Sequence, residues 1–377
     1  MTNLKVLVVG SHPRGGPSMS RYSEILVNAY RELGFDVFLM TPRSTLADKL
    51  PARGRKLGIY LDKLRFVSLL NRPARGALVH IADHSDAAYL NFVRPAQSIV
   101  TCHDLIAVRA ARGELPEHRT RLTGRIYQRL ILRGLKRAGS VVSVSRTTAG
   151  DVSRILKRPP LLLRNPISNT LLGSGGLQTT AQAAPYALVV SSVGWRKRRT
   201  LAVQIWLQLR AHAVERLDLV LVGPGITAEE RILLEATDDP EVFEAVRVEQ
   251  SITDERLRNL YRGAMCLIQA SKYEGFAWPI VEANYFGTVA LCADEPILRE
   301  TGEGNVFIDH AVLDTMPSLE WLNIIEIAQS RALAEPLARR ARTFNEQSFR
   351  MALQQHVAAL DVFHLSSESS PMGESAE

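Results

Sequence analysis

The sequence predicts an α/β protein built from two doubly wound, Rossmann-like domains. Two observations carry this prediction. Short apolar runs of strand length alternate with helical patterns along most of the 377 residues, as in parallel sheets with crossover helices. A stretch without hydrophobic period, Ser168–Pro185, is rich in Gly, Ser, Thr, Gln and Ala and separates two such series. The length also suits two cores better than one.

The individual strands follow from apolar runs bounded by turn residues. In the first series we expect strands at Leu4–Val9, Asp36–Met40, Leu78–Ala82, Ser98–Cys102 and Val141–Val144. In the second series we expect strands at Tyr186–Val190, Leu217–Val222, Val246–Glu249, Met265–Gln269, Val289–Cys292 and Asn305–Ile308. A helical pattern, Phe344–Phe363, follows the last strand, and the tail Ser366–Glu377 has a disordered composition.

These elements predict four segments. Residues 1–167 form an N-terminal Rossmann-like domain and residues 168–343 a C-terminal one. The helix within residues 344–365 is expected to pack back on the N-terminal domain, and residues 366–377 form the disordered tail.

Composition places the chain among ordinary soluble proteins, with 46% hydrophobic and 23% charged residues. No apolar run reaches the roughly 18–20 residues of a membrane span, and the first apolar run is too short for a signal peptide. We therefore expect a cytoplasmic protein. The three cysteines are widely spaced within apolar runs, which favours buried thiols over disulfides or a metal site.

Charge divides the chain. Residues 1–166 carry a net charge of +17 and the remainder −10, within an overall +7. A helix-like run from Arg119 to Arg137 contains Arg121, Arg125 and Arg129, a pattern that suits anionic lipid, a pyrophosphate-linked substrate or nucleic acid. The alternative is a solvated helix face, in which the apolar positions form an ordinary core face; these are Leu122, Ile126, Leu130 and Leu135. Because aromatic residues make up only 6%, base stacking and a nucleic-acid partner are disfavoured.

The segment KYEGFAWPIVEA, residues 272–283, places two carboxylates eight residues apart. Glu274 ends a strand-to-helix loop, and Glu282 lies about one turn into a helix that Pro279 helps to start. Both carboxylates can border one crevice beside the anion-attracting start of that helix, which suits a phosphate flanked by hydroxyls. The alternative is a solvated loop acid and a helix acid favoured by the dipole.

This segment resembles the E-x7-E signature of retaining glycosyltransferases of family 4, which have the GT-B fold, and the resemblance extends over nearly the whole chain. It implies that Glu274 binds hydroxyls of the transferred sugar, that the Gly275–Phe276 backbone approaches the donor, and that Glu282 accepts from the ribose diol. The usual second glycine of the donor-binding loop is Ala277 here, which is strained if the backbone needs a positive φ.

The stretch that contains Trp195 to Arg199, WRKRR, follows the first strand of the second domain. By resemblance, Arg196 and Lys197 bind the donor diphosphate and stabilise it as the leaving group. The alternative is a surface basic patch, and the adjacent Arg198 and Arg199 leave open which side chains act. The end of a strand is where ligands of α/β sheets bind, which favours the functional interpretation.

In the first domain, Gly15 and Gly16 let the backbone approach a ligand closely, and this loop resembles the one that contacts donor phosphate and acceptor in the family. The segment TCHDL, residues 101–105, resembles the H-D-L segment of the family, which implies that His103 lies near the reacting sugar and that Asp104 orients it or shapes the loop; the alternative for His103 is a structural role. His80, Asp83 and His84 are only a weak metal pattern, and the resemblance implies neither a metal nor a cofactor.

The resemblance implies sugar transfer from a nucleotide diphosphate donor, with a weak preference for GDP-mannose, to an acceptor hydroxyl with retention of configuration, in a central cleft between the two domains. The leaving diphosphate would help to deprotonate the acceptor. We expect a lipid-linked or saccharide acceptor and binding to an anionic membrane surface on its inner face, in the synthesis of a bacterial surface polysaccharide or glycolipid. The alternatives are a nucleotide-sugar epimerase of the same fold, or a non-catalytic protein that binds anionic lipid or nucleic acid.

Overall fold

The structure, a computed structural model, describes residues 5–13, 17–51, 53–173 and 185–360. The chain forms two compact units: an N-terminal unit of Met1–Asn165 with the segment from Glu346, and a C-terminal unit of Pro166–Asn345. The exchange points lie two residues from the expected ones. Where the chain enters and leaves the C-terminal unit, Ile167 N donates to Phe344 O at 2.7 Å, so the two crossing segments lie side by side.

Strands and helices alternate along both units. The strands are β1 Lys5–Val9, β2 Asp36–Met40, β3 Leu78–Ile81, β4 Gln97–Cys102, β5 Ser140–Ser143, β6 Leu161–Leu162, β7 Tyr186–Val190, β8 Asp218–Val222, β9 Val246–Glu249, β10 Cys266–Gln269, β11 Ala290–Ala293 and β12 Val306–Ile308. The helices are α1 Pro17–Glu32, α2 Leu46–Lys49, α3 Arg55–Ala74, α4 Ile106–Ala111, α5 Leu122–Arg137, α6 Arg146–Leu156, α7 Asn169–Leu172, α8 Arg199–His212, α9 Ala228–Glu235, α10 Asp254–Gly263, α11 Trp278–Tyr285, α12 Pro296–Thr301, α13 Ser318–Ser330, α14 Ala334–Ala341 and α15 Glu346–Ala358.

Each unit contains a parallel sheet of six strands. The order is β2-β1-β3-β4-β5-β6 in the N-terminal unit and β12-β11-β10-β7-β8-β9 in the C-terminal unit. The strand order therefore reverses between β1 and β3 in the first sheet and between β7 and β10 in the second. In doubly wound sheets such a switch point opens a crevice at the carboxyl ends of the strands, where ligands bind.

The prediction of two doubly wound sheets is confirmed. All eleven expected strands are present, with ends that differ by at most one residue. The two-residue strand β6 was missed because it is too short for a periodic signal. The expected linker is partly helical, since α7 begins at Asn169, and its remaining residues 174–184 lie outside the described residues.

The final helix, α15, belongs to the N-terminal unit. The ring of Phe349 packs edge-to-face on Tyr22 of α1, with centroids 6.0 Å apart. His356 Nε2 donates to the Leu162 carbonyl at 2.9 Å, which also connects α15 to β6. The described helix is shorter than expected, and the expected disordered tail lies outside the described residues.

The alternative interpretation of α5, in which its four apolar positions form a core face, is wrong for three of them. Of its four apolar positions only Leu135 is buried, whereas Leu122, Ile126 and Leu130 are exposed. The helix is held instead through Gly134, where an added Cβ would lie 1.9 Å from the Ala87 carbonyl oxygen. This close approach turns the predicted apolar stripe outward. Helix α5 also begins at Leu122, later than the basic run predicted.

Candidate functional site

Two loops meet at the switch point of the C-terminal sheet. The β7–α8 loop follows the strand that ends at Val190, and the β10–α11 loop follows the adjacent strand, which ends at Gln269. Lys272 N donates to the Arg196 carbonyl at 2.8 Å, so the backbones of the two loops are joined directly. Neighbouring parallel strands bring their carboxyl ends to the same edge of the sheet. Residues nearly eighty positions apart in sequence therefore share one site.

Glu274 is the centre of this site. Its Oε1 accepts from Lys197 Nζ at 2.5 Å, and its Oε2 accepts from Arg196 Nη1 at 3.3 Å. Gln269 Nε2 lies 3.4 Å from Oε1. Arg196 also donates to the Tyr273 carbonyl at 3.2 Å, which fixes the guanidinium against the loop. The carboxylate predicted to bind sugar hydroxyls and the two cations predicted to bind diphosphate thus form one cluster.

Solvent access within this cluster is graded. The Glu274 side chain is 8% exposed, that of Lys197 18% and that of Arg196 35%. Two cations and one carboxylate leave a net charge of +1 in a partly dry environment, where charges interact more strongly than in water. The cluster can therefore attract an anion through its most accessible member, Arg196, while the carboxylate holds both cations in place.

The next two arginines of the basic run have structural roles. Arg199 is buried and pairs with Glu230, with two N–O distances of 2.6 Å, and its remaining donors bind the carbonyls of Pro224 and Gly225. Burial opposes the charged form of Glu230, but these bonds from Arg199 lower the pKa of its carboxyl. The sequence left open which cations act, and the structure separates Arg196 and Lys197 from this pair.

Arg198 is also held away from Glu274. Its Nη2 donates to Glu295 at 2.8 Å and its Nε donates to the Ala270 carbonyl at 2.9 Å. Its backbone is left-handed, with φ +45°, at the residue that precedes α8. This conformation sends three consecutive cationic side chains to three different carboxylates.

The loop that follows Glu274 contains a second left-handed residue. Ala277 has φ +64° and ψ +57°, which confirms that the backbone adopts the conformation for which glycine is usual. It immediately precedes α11, whose first-turn N–H groups point to the same strand end. A non-glycine residue held in this region costs about 1 kcal/mol or more. Such strain is frequently found at ligand-binding sites.

Glu282 lies on α11 and is buried, with 7% of its surface exposed. Its Oε2 accepts from the Tyr261 hydroxyl of α10 at 2.7 Å. The Tyr261 carbonyl in turn accepts from the Thr288 hydroxyl. Glu282, the residue that is expected to bind the ribose, is therefore oriented by a tyrosine from another helix. The sequence pattern did not indicate this contact.

The switch point of the N-terminal sheet has a different chemistry. Asp83, which follows β3, accepts from Ser11 Oγ of the β1 loop at 3.3 Å and lies 3.1 Å from His84 Nδ1. Burial alone would raise the pKa of Asp83, but the His84 contact and the Ser85 backbone amide lower it. Burial would likewise lower the pKa of His84, and Asp83 raises it. The pair is stabilised in its ionised form.

His103 follows β4 in the same unit. Its Nε2 donates to the Ala82 carbonyl at 2.9 Å, because a carbonyl can only accept, and its ring packs edge-to-face on Tyr22 at 4.6 Å. Burial lowers its pKa and favours the neutral imidazole, in which Nδ1 carries the lone pair. Asp104 Oδ1 accepts from Ile106 N at 3.0 Å, a contact that turns the chain immediately before α4.

The remaining candidates are distributed as follows. Arg121 precedes α5, and Arg125 and Arg129 lie on its exposed face. Gly275 and Phe276 lie between Glu274 and α11. Gly15 and Gly16 lie outside the described residues. Cys102, Cys266 and Cys292 are free and buried, as predicted.

Two searches of the described ranges gave negative results. In the part of the chain that the structure describes, no group of His, Cys, Asp and Glu is arranged to hold a metal ion, and this includes the weak pattern around His80. Among the same residues, no helix combines the length and apolarity that crossing a membrane requires.

The region that contains this cluster resembles a known protein family. Residues 178–309, which contain Arg196, Lys197, Glu274 and Glu282, match the family profile "Glycosyl transferases group 1". The serotype-specific mannosyltransferase WbdA of Escherichia coli is 28% identical over 218 residues, an alignment that covers 50% of this chain and 26% of WbdA. The chain thus spans about a quarter of the length of that curated relative.

Solved structures share the architecture over nearly the full chain. A sucrose-phosphate synthase from Thermosynechococcus elongatus has a TM-score of 0.70 at 17% identity. The alignment covers 96% of this chain and 99% of the synthase chain. The Anabaena protein HepE, in complex with UDP and glucose, has a TM-score of 0.66 at 13% identity. The alignment covers 94% of this chain and 100% of the HepE chain. The chain therefore has the GT-B glycosyltransferase fold, and its C-terminal unit carries the sequence pattern of glycosyl transferases group 1.

Proposed function

We propose that this protein is a retaining glycosyltransferase that moves a sugar from a nucleotide diphosphate donor to an acceptor hydroxyl. The observation that carries the proposal is the convergence of Arg196, Lys197 and Glu274 at the β7/β10 switch point, within the segment that matches the glycosyltransferase profile. Two cations and a carboxylate at the start of a helix match the parts of a nucleotide sugar: phosphates beside hydroxyls.

In this mechanism each side chain has a separate task. Arg196 and Lys197 bind the diphosphate and stabilise the charge that develops on it as the bond to the sugar breaks. Glu274 accepts hydrogen bonds from sugar hydroxyls, and Glu282, held by Tyr261, accepts from the ribose diol. The backbone of Gly275, Phe276 and Ala277 approaches the donor.

Retention requires that the acceptor attacks the face that the diphosphate leaves. The departing phosphate oxygen takes the acceptor proton, so that the new glycosidic bond forms as the old one breaks and no enzyme nucleophile is needed. His103, neutral because of its burial, would then serve the sugar as a hydrogen-bond partner near the acceptor hydroxyl. Catalysis rests on positioning and on cationic stabilisation of the leaving group.

The names of similar proteins support particular choices of donor and acceptor for this proposal. WbdA is a mannosyltransferase, which supports the weak preference for GDP-mannose, whereas the HepE structure contains UDP and glucose. An outer-core galactosyltransferase of lipopolysaccharide shares the fold with a TM-score of 0.61 at 12% identity. A lipid-linked or saccharide acceptor in bacterial surface-polysaccharide or glycolipid synthesis is the acceptor we propose, bound at the inner face of the membrane through the basic N-terminal unit.

The first test is the thermal shift of the full chain with UDP, GDP and ADP and their hexose conjugates, repeated with Glu282→Ala. We expect one base to raise the melting temperature in the wild type and not in the variant. The absence of a shift with every nucleotide would overturn the proposal. Incubation with the preferred donor, with and without acceptor, then separates transfer from epimerisation, because an epimerase alters the sugar without acceptor.

A further inference from the structure

An unexplained feature of the N-terminal unit is the outer face of α5. Leu122, Ile126 and Leu130 recur every four residues and are between 36% and 71% exposed. This spacing places them along one side of the helix. Arg125 and Arg129 are exposed on the same helix and immediately precede two of these residues. Apolar side chains alternate here with cations.

Helix α3 has a similar outer face. Its inner stripe of Phe66, Leu70 and Ala74 is buried in the core. Leu57, Leu61 and Leu64 lie on the opposite side, by the spacing of a helix, and are between 40% and 60% exposed. A helix of a soluble protein normally places polar residues there. Three outward apolar residues on each of two helices exceed the scattered apolar exposure that needs no explanation.

The two helices lie next to each other. The ring of Tyr60 in α3 packs on that of Tyr127 in α5, with centroids 4.9 Å apart. Lys63 of α3 pairs with Asp86 at 2.7 Å, in the segment against which α5 packs. The outer apolar residues of both helices therefore belong to one region, which we call the α3–α5 surface: Leu57, Leu61, Leu64, Leu122, Ile126 and Leu130 with the arginines beside them.

The charge of the α3–α5 surface indicates which kind of partner it binds. The only acid on α3 is Asp62, which is buried and accepts the backbone amides of Leu46 and Ala47. Helix α5 contains no acid. Exposed cations on the two helices include Arg55, Arg65, Arg125, Arg129 and Arg133. A second copy of this surface would oppose cation to cation, whereas an anionic lipid surface complements the charge and accepts the leucines.

We infer that the α3–α5 surface binds an anionic phospholipid bilayer by inserting its leucines between the headgroups while its arginines contact lipid phosphates. The inference deepens the proposed function and rests on it, because binding to the membrane would bring the protein to a lipid-linked acceptor. It goes beyond a basic patch, because a purely electrostatic surface would not need exposed leucines. Both signals are expected to be necessary, since a modest apolar contact or a few charges alone bind membranes weakly.

The experiment is sedimentation of the full chain with vesicles of phosphatidylcholine alone and with about one third phosphatidylglycerol. We expect binding to the anionic vesicles only, weakened but not abolished by salt. The triple change Arg121→Gln, Arg125→Gln, Arg129→Gln is expected to lower the partition constant roughly a hundredfold, because each arginine contributes about a factor of five.

The discriminating variant is Leu57→Ser, Leu61→Ser, Leu64→Ser, which we expect to lower anionic-vesicle binding at least about tenfold. The matched control is Leu319→Ser with Leu322→Ser on α13 of the C-terminal unit, two leucines of comparable exposure outside the surface. The control is expected to bind vesicles like the wild type. Melting curves of each variant verify that it is folded.

Three results would overturn the inference: undiminished binding by the leucine variant, equal binding to neutral vesicles, or displacement from vesicles by a single-stranded oligonucleotide that binds both variants alike. Dimerisation lost in the leucine variant would assign the surface to a second copy instead. Nucleotide binding is measured on the same samples. If the wild type binds nucleotide but not anionic vesicles, only this inference is overturned; if it binds the vesicles but no nucleotide, the proposed reaction is overturned.

Discussion

The two sheets have the same architecture but different chemistry at their switch points. Between β7 and β10, Glu274 contacts Lys197 and Arg196, and all three side chains are partly accessible. Between β1 and β3, Asp83 pairs with His84, both side chains are less exposed than those of Lys197 and Arg196, and the nearby His103 is neutral. A site with surplus cations suits phosphates, and a site with a neutral imidazole suits hydroxyls. The topology provides two crevices, and the side chains decide what each can bind.

The largest expected effect tests the charged switch point. Glu274→Gln keeps the shape but removes the charge that accepts sugar hydroxyls, and we expect kcat to fall on the order of a thousandfold. The matched control is Glu295→Gln, which removes an equivalent carboxylate from the adjacent Arg198. Initial rates with donor and acceptor measure both. A comparable loss in the control would mean that charge balance of the loop, and not contact with sugar, is responsible.

The second prediction divides the basic run. Lys197→Met is expected to lower kcat/KM about a hundredfold with an unchanged free energy of unfolding, since its ammonium acts on the diphosphate. Arg199→Met should instead destabilise the protein by about 3–5 kcal/mol, because Glu230 would remain buried without its partner. Initial rates and urea unfolding of both variants measure kcat/KM and the free energy of unfolding. If the two profiles were exchanged, our assignment of these cations would be wrong.

The third prediction concerns acid stability and separates the two units. His80 is buried between the Tyr30 hydroxyl and Thr101, at 2.8 and 2.9 Å, and burial lowers its pKa to about 3. The unfolded chain binds this proton near pH 6.5, so stability decreases as pH falls from 6.5 toward 3. The loss reaches about 2 kcal/mol at pH 5.

This loss is measured by hydrogen exchange of β3 and β4 peptides at pH 7 and pH 5. Tryptophan fluorescence serves as the control, because all four tryptophans lie in the C-terminal unit: Trp195, Trp206, Trp278 and Trp321. We expect earlier acid unfolding of the N-terminal unit. Equal pH dependence of the two signals would contradict the difference between the units.

A smaller effect tests the hydrogen bond from Tyr261 to Glu282, the residue that is expected to bind the ribose. Tyr261→Phe removes the hydroxyl that orients Glu282 and should weaken nucleotide diphosphate binding five- to tenfold, about 1 kcal/mol. A 2′,3′-dideoxy nucleotide is the control, since it lacks the diol that Glu282 would bind. Calorimetric titration of both ligands is the measurement. An equal loss for the two ligands would show that Tyr261 supports the fold and not the ribose contact.

The smallest effect concerns the strained loop. Ala277→Gly should raise the free energy of unfolding by up to about 1 kcal/mol, because glycine adopts φ +64° without steric cost. The same exchange at Ala283, inside α11, should destabilise by at least about 1 kcal/mol. Urea unfolding of the two variants and the wild type gives the free energies of unfolding to be compared. Destabilisation by Ala277→Gly would mean that its buried methyl group matters more than its backbone.

Much of the fold was predictable because each buried parallel strand is a short apolar run. Val6 and Ile268 are surrounded by apolar neighbours, and their segments therefore appear directly in the sequence. Arg196, Lys197 and Glu274 follow two strands that the sequence predicted, and their expected roles came from the family resemblance. The role of Tyr261 was not predictable, because it lies on α10 and contacts Glu282 only in the folded chain. No local pattern signals a hydrogen bond between residues on different helices.

The sequence by itself determined the two doubly wound sheets, the charge difference between the halves and the family resemblance of the E-x7-E segment, since strand length and motif spacing are local properties. Only the tertiary structure decided which arginines of the basic run face Glu274, because partners such as Glu230 and Glu295 come from distant loops. It also decided that α5 turns Leu122 and Ile126 outward, since the close approach at Gly134, and not the apolar period, sets the rotation of that helix.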